Sequence, residues 1–522
     1  MPRSHGRLAA WLLALSLAAV ACTAPAAPEV LPASAAVARE VSALPEDWSV
    51  REVEPGFLLY EGEVVRGEDP AWSVSVTAGQ DWLGSRAEAE EVTAKLAGLG
   101  WAAEVVEIAW PEAFVQAGLA LGWKVVLRER YATRARAEAR AAELGDGGWR
   151  ASVEWSGAEP YGGYSRTRVV AAVLDPAEFR GSVEATFGER IDAASTVAEM
   201  AREGGALFAV NGGYFVMEEA DGVPGTPAGI GVYGGRLESE AVEGRAAVVL
   251  EGDGLSPSFV ELSTEVTVSV DGRVREAEGV NRVPGVRRNC VDPRRPTRYP
   301  LHDVTCRLDS ELVVFTDAFR GSTPETGGVE AVADAAGVIT SVGAPGAEVP
   351  AGGHVVQGVG GAAAWLEESA EVGERLRVDT RVVDSGGGEL ALGEGTSVVN
   401  AGPRLVSGGL VGIDAEVNGL IHPDDPRFGY AWALRGNPRM AMGVDGAGRL
   451  LLVGASGRAP GESDGFGLEA LAGLMRDLGA VEAVALDGGG SVSMVLDGEP
   501  VLLGVSARGE RSVGDAVLVR AG

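Results

Sequence analysis

Residues Val481–Gly498 read VEAVALDGGGSVSMVLDG. Val481, Val484 and Leu486 make a short apolar run suited to a buried strand, and the run stops at Asp487. Gly488, Gly489, Gly490 and Ser491 follow, before alternation resumes through Val492, Met494 and Leu496 as a second strand. An acidic side chain thus stands at a strand mouth beside residues with no Cβ, where a ligand can approach the main chain and N–H groups can turn inward. A carboxylate so placed can act as acid or base, or hold a sugar hydroxyl. The bland alternative is a glycine-rich hairpin whose aspartate caps its own turn.

The pairing of a polar residue with small ones recurs. Asn211-Gly212-Gly213-Tyr214-Phe215 follows the apolar Leu207–Val210, and Asn400-Ala401-Gly402-Pro403 follows Val398-Val399. Asn437–Gly443 carries Arg439 just ahead of the apolar strand Leu450–Val453. Singly, each reads as a turn, and a lone arginine as a surface ion pair. Their recurrence at successive strand ends favours a site. Two helices must help to position it. One starts at Thr196, where Thr196 and Glu199 form a capping box, and ends at Gly204-Gly205. The other is capped by Ser463 or Asp464, turns Leu468, Leu471, Leu474, Met475 and Leu478 inward, and stops at Gly479.

The chain has 522 residues, 46% of them hydrophobic, which is globular material with room for two or three domains. Its 76 glycines suit many turns and short strands. The formal charge of -31 argues against nucleic acid or an anionic membrane surface as partner. A phosphate-bearing substrate must therefore meet a local cluster of arginines.

Residues 1–22 carry Arg3 and Arg7, an apolar stretch from Leu8 to Ala21 too short to span a bilayer, and Cys22 after small residues. This resembles a bacterial lipoprotein signal with Cys22 lipidated, the alternative being an ordinary secretory signal; either one exports the protein. Contact with the membrane is expected only through that lipid. In an oxidising compartment Cys290 and Cys306, with fifteen residues between them, are expected to pair, stabilising the loop by about 3 kcal/mol. The histidines after the signal are His302, His354 and His422, too few for a His-rich metal centre, and neither metal nor cofactor is expected.

Residues 23–71 read as an Ala/Pro-rich tether followed by a segment without clear period, with strand-like pieces such as Gly56–Tyr60. Between Trp72 and Trp155 the pattern strand, helix, strand occurs twice, with helices over Ser85–Leu96 and Ala132–Leu144, predicting a ferredoxin-like split βαβ module. Residues 72–157 resemble the SPOR (sporulation-related repeat) domain on this pattern and on Ser75-Val76-Thr77-Ala78-Gly79, a resemblance that implies binding to peptidoglycan glycan strands. Trp72, Trp101, Trp123 and Trp149 are expected mostly in the core.

Residues 160–522 resemble the phosphodiester glycosidase family. The resemblance rests on FAVNGGYF (208–215), GVNRVPG (279–285), VVNAGPRLV (398–406), NPRMAMG (437–443), LDGGGSVSM (486–494) and GERSVGDAVLV (509–519), in that order. It implies an α+β domain with a mixed sheet that cleaves the bond between a sugar anomeric carbon and a phosphodiester oxygen, as in GlcNAc-1-phosphodiesters. On this reading Arg439 clamps the phosphodiester and Asp487 is acid, base or nucleophile. Asn211 and Ser491 bond sugar or phosphate, and Gly212, Gly213, Gly488 and Gly489 offer N–H groups. Tyr214, Asn400 and Gly402 line the substrate. Glu510 and Arg511 are a second carboxylate and cation, or else a surface ion pair. Met440, Val492-Ser493 and Ser456 depart from the family's usual residues. These departures are what favours the rival reading, a non-catalytic envelope protein that binds wall glycan. A serine-nucleophile hydrolase built on Ser491 lacks the flanking pattern and a histidine.

Overall fold

The computed structural model describes residues 48–78, 82–292 and 297–522. The signal, Cys22, the tether and Gly79 of the SPOR-like motif lie outside the described residues. With 15% of residues helical and 40% in strands, segregated into several sheets, the chain is α+β.

Two sheets form the frame of the larger domain. The first has eight strands, in the order Ser49–Glu54, Phe57–Arg66, Ser165–Leu174, Leu450–Ala455, Arg439–Asp445, Ala480–Ala485, Arg404–Ser407 and Leu410–Val411. The segment without clear period thus supplies two strands, the longer paired antiparallel with Ser165–Leu174 along its whole length. The second sheet has five: Glu499–Leu503, Ser493–Leu496, Phe208–Asn211, Ala516–Arg520 and Ser182–Thr186. Alternation in Val169–Leu174 shows why the sheets face each other. Val170, Ala172 and Leu174 join Phe208, Val210, Met494 and Val517 in the core between them. Val169, Ala171 and Val173 point the other way, onto the helix Leu468–Asp477. The outer face of the second sheet is covered by the helix Val197–Gly204, whose capping box (Thr196, Glu199) and left-handed Gly205 terminus form as expected.

The helix Leu468–Asp477 is not capped by Ser463 or Asp464. Gly467 stands at its N-cap, Ser463 Oγ donates to Ser456 O, and Asp464 accepts from Trp155 Nε1 (2.7 Å) and Arg166 N (2.8 Å). Two further antiparallel-rich sheets pack around the helix Gly361–Ser369, with a parallel pair where Gly279–Val280 lies beside Glu311–Thr316. Within the GVNRVPG segment Arg282 is buried between Glu240 (2.6 Å) and Glu311 (2.7 Å), so this motif is a packing feature of that subdomain.

Residues 72–155 fold as strand–helix–strand twice, with helices Arg86–Gly98 and Arg134–Asp146 and the antiparallel order Ala103–Ala109, Ala120–Leu127, Trp72–Val76, Ala151–Trp155. That is the ferredoxin-like split βαβ topology. Trp72, Trp101, Trp123 and Trp149 pack against its core, with Arg140 4.2 Å above Trp101. The sheet face turned away from the helices is not free. Lys124 is buried there, bonded to Glu154 (2.5 Å) and to Tyr430 Oη (2.8 Å) of the larger domain. Glu159 joins them through Tyr430 Oη and through Arg435 (2.9 Å).

Lys124→Ala leaves buried carboxylates without their central cation, a change expected to cost about 3–5 kcal/mol. Denaturant midpoints measured beside a surface control, Lys95→Ala, check this.

Candidate active site

Asp487 stands where the chain leaves one sheet for the other. After the strand Ala480–Ala485 it passes Asp487 and Gly488, makes one 3-10 turn over Gly489–Ser491, and enters Ser493–Leu496 in the second sheet. The stretch is therefore a crossing between sheets, not a hairpin. Asn211 closes the seam. Its Nδ2 donates to Asp487 O (2.9 Å) and Gly212 O (3.2 Å), and its Oδ1 accepts from Ser493 N (3.2 Å). Asp487 N donates to Gly212 O (3.1 Å). Asn211 is 0% exposed, and its carboxamide is committed to positioning Asp487 and Ser493. Asn400 does likewise for Tyr214, accepting from its N–H (2.8 Å) and donating to its carbonyl (3.1 Å).

The glycines differ from expectation. Gly212 N donates to Asp515 O (3.0 Å), Gly213 N to Asp515 Oδ1 (2.8 Å), Gly488 N to Asp487 Oδ1 (2.8 Å) and Gly489 N to Pro438 O (2.9 Å). None of these N–H groups is left for an oxyanion. Glycine is required for room instead. A Cβ on Gly212 would lie 2.4 Å from Asp515 Oδ1, and one on Gly213 2.4 Å from Asn400 O. Gly402 approaches Asn418 Oδ1 in the same way (2.9 Å from a Cβ), while its carbonyl accepts from Tyr214 Oη.

Beside Asp487 each glycine faces an arginine. A Cβ on Gly488 would lie 3.9 Å from Arg439 Cδ, one on Gly489 3.3 Å from Arg458 Nη2, and one on Gly490 2.6 Å from Arg511 Cζ. Arg439 is 5% exposed and is aimed by Nε donating to Phe466 O (2.9 Å) and Nη2 to Trp432 O (2.5 Å); burial lowers its pKa to about 10. Arg458 donates twice to Asn437 Oδ1 (3.0 and 2.9 Å). Burial pushes the Asp487 carboxyl up to about 7, with Asp303 adding to the rise. Gly488 N–H, Arg511 and the Ser491 hydroxyl favour its ionised form; the hydroxyl is buried toward Asp487 without a hydrogen bond of good geometry.

Aromatic rings wall the site. His302 lies edge-on to Tyr214 and to Trp432, each at 4.7 Å, and Trp432 stacks under Arg439 at 5.4 Å. Arg245 Nη1 donates to His302 Nδ1 (3.0 Å); since arginine only donates, His302 is the neutral Nε2–H tautomer, and burial holds its pKa down to about 3. His302 and Asp303 belong to the segment closed by the Cys290–Cys306 disulfide, which forms as expected. Burial raises the Asp303 pKa, but His302 and Arg288 outweigh it and hold the group below the usual range.

Glu510 is engaged by protein groups. It accepts from Ala198 N (3.1 Å) at the start of the helix Val197–Gly204 and from Ser493 Oγ (2.7 Å). It forms no ion pair with Arg511, which reaches over Gly490 to Met217. Arg458 and Trp432 were not expected at the site, and Asp515 was not expected beneath it, whereas His302 and Asp303 enter with the Cys290–Cys306 segment. Arg458 was legible as a neighbour of the Ser456 departure and Asp515 lay inside the last motif; Trp432 carries no local signal. Met440 and Val492 are buried in the core between the sheets, and Ser456 Oγ donates to Ser463 Oγ (2.9 Å). Of the departures from family residues, Ser493 alone bonds at the Asp487 seam, through its N–H to Asn211 and its Oγ to Glu510.

Two outcomes follow from this geometry. Asn211→Ala strands the Asp487 carbonyl and the Ser493 N–H, and is expected to cost about 2–4 kcal/mol in denaturant unfolding. Asp487, raised from its unfolded value to about 7, binds more protons folded than unfolded between those values, so its contribution to stability falls as pH rises through that window. Asp487→Asn should accordingly raise the melting temperature above pH 7 and not at pH 4, as thermal scans at both pH values can establish.

No curated protein matches the chain significantly. Among solved structures, a candidate exported protein from Burkholderia pseudomallei is 28% identical, with 91% of this chain and 97% of that one aligned at a TM-score of 0.77. A hypothetical protein from Synechocystis is 16% identical over 90% of this chain and 79% of that one, with a TM-score of 0.50, which speaks to fold alone. The zebrafish N-acetylglucosamine-1-phosphodiester alpha-N-acetylglucosaminidase catalytic domain aligns over 69% of this chain and 79% of its own at 14% identity. Its TM-score of 0.35 is too low to carry weight. Residues 327–520, which include Arg439, Arg458, Asp487 and Arg511 but not Asn211 or the disulfide loop, match the model of the phosphodiester glycosidase family.

Proposed function

We propose that residues 160–522 hydrolyse the bond between a sugar anomeric carbon and a phosphodiester oxygen, with GlcNAc-1-phosphodiester-like substrates. The observation that supports this best is the Asp487 turn: a carboxyl with proton affinity near neutrality, ringed by Arg439, Arg458 and Arg511 in a protein of charge -31. The three guanidiniums suit a phosphodiester and its departing phosphate. Phosphate needs little protonation to leave, so the demanding step is stabilising positive charge at the anomeric carbon while water or a carboxylate attacks. Asp487, partly ionised near pH 7, suits the role of base or nucleophile, and Asp303 across the site adds negative charge. Tyr214 and Trp432 offer the flat apolar surfaces on which sugar rings rest.

The location we propose is the bacterial cell envelope. A structural neighbour described as a candidate exported protein and the disulfide support export. Lipidation of Cys22 would anchor the chain, and the SPOR-like module would meet peptidoglycan glycan strands. Its helical layer and strand edges are the surfaces available for that, since Lys124, Ser75 and Glu154 on the other sheet face are buried. The rival reading is a glycan-binding protein without activity; Met440 and Val492, on which it rests with Ser456, are core residues, and Ser456 Oγ bonds Ser463 Oγ.

Asp487→Asn and Arg439→Ala should each slow release of GlcNAc from a GlcNAc-1-phosphodiester by at least about 100-fold. Wild-type rates in both variants would remove the assignment. A pull-down on purified peptidoglycan run beside this assay separates the readings: binding with no product released favours the rival.

A further inference from the structure

One phosphodiester carries one negative charge, yet four guanidiniums gather at the Asp487 turn. Arg439 lies deepest, with Nε and Nη2 committed to carbonyls and Nη1 left over. Arg458 and Arg511 are exposed and lie over Gly489 and Gly490. Arg508 is exposed three residues before Arg511, and Arg511 and Arg508 exert the two largest charge effects on Arg458. Among the described residues no carboxylate lies within 4.0 Å of any of the four. Crowding like charges is unfavourable, and Asp487, the carboxylate that acts on Arg458 and Arg511, forms an ion pair with neither. Arg458 also holds φ +59, a left-handed conformation that residues other than glycine seldom adopt and that persists where the surroundings enforce it. Its guanidinium is aimed by both bonds to Asn437 Oδ1, so the strain is spent on pointing a cation at the outer side of the turn.

We infer that Arg458, Arg508 and Arg511 form a second anion subsite outward of Arg439, and that the leaving group of the substrate carries at least one further phosphate. The substrate class is then a sugar joined through its C1 phosphate to a phosphate-bearing chain, either a phosphodiester-linked polymer or a pyrophosphate. The inference rests on the glycosidase reading for the place of the scissile phosphate, which Arg439 takes.

Calorimetric titration of the full chain at fixed ionic strength tests it, with inorganic phosphate, inorganic pyrophosphate and a glycerol-phosphate dimer as probes. A two-phosphate probe is expected to bind at least about tenfold more tightly than phosphate, and Arg458→Gln, Arg508→Gln and Arg511→Gln each to shrink that preference several-fold. Tight binding of pyrophosphate alone points to a pyrophosphate ester, and of the dimer to a polymer; either supports the subsite. Equal affinities for one and two phosphates, or a preference untouched by all three substitutions, overturns it. Hydrolysis of a GlcNAc-1-phosphodiester is followed in parallel. Hydrolysis without the preference removes only the second subsite, whereas the preference without hydrolysis removes the glycosidase reading and leaves an anion-binding site.

Discussion

The carboxamide of Asn211 holds together the place where the two sheets of the larger domain part. It bonds the carbonyl of Asp487, leaving one sheet, and the N–H of Ser493, entering the other, while its own strand lies in the second. Without that bridge the crossing would expose two buried backbone groups at once. The seam explains the chemistry of Asp487 as well. A carboxyl brought to the edge of a sheet-on-sheet core loses hydration, and its proton affinity rises toward neutrality while the residue stays half-buried. Beneath it Asp515, whose pKa burial raises to about 6, accepts from Gly213 N–H and from Tyr233 Oη, so a second buried carboxyl secures the strand end that carries Asn211.

Around this seam the field is the reverse of that of the whole molecule. The surface is acidic, but the glycine turn lies among arginines, and the absence of side chains at 488–490 is what lets the guanidiniums approach the backbone. Only Gly489 of the three needs its conformational freedom, at φ +62. An anion drawn toward the protein would be repelled broadly and captured locally, an arrangement that confers selectivity more than affinity.

The ferredoxin-like module contributes to the site by support rather than by contact. Its buried Lys124 bonds Tyr430, the first residue of the π-helical turn Tyr430–Leu434, and this turn carries Trp432, whose ring faces the site and whose carbonyl aims Arg439. Such turns recur at functional sites because they displace one residue from the helical register. Here the displaced stretch is fastened on its far side by Glu159 and Arg435.

Local pattern in the sequence determined the elements. The capping box at Thr196, the alternation in Val169–Leu174 and the doubled strand–helix–strand of 72–155 each depend on neighbours a few positions apart, and each folds as read. The α+β class and the disulfide were legible for the same reason, since composition and short motifs carry them. Which side chain does which job was not. Asn211 and the glycines resemble ligand contacts in sequence, but their hydrogen bonds are satisfied by residues such as Asp515, 302 positions away. Glu510 was separated from Arg511 by a helix N-terminus, and Arg458, Asp303 and Trp432 reached the cleft from unrelated segments. Hydrogen-bond satisfaction and burial are properties of the packed chain, and only the tertiary structure decides them.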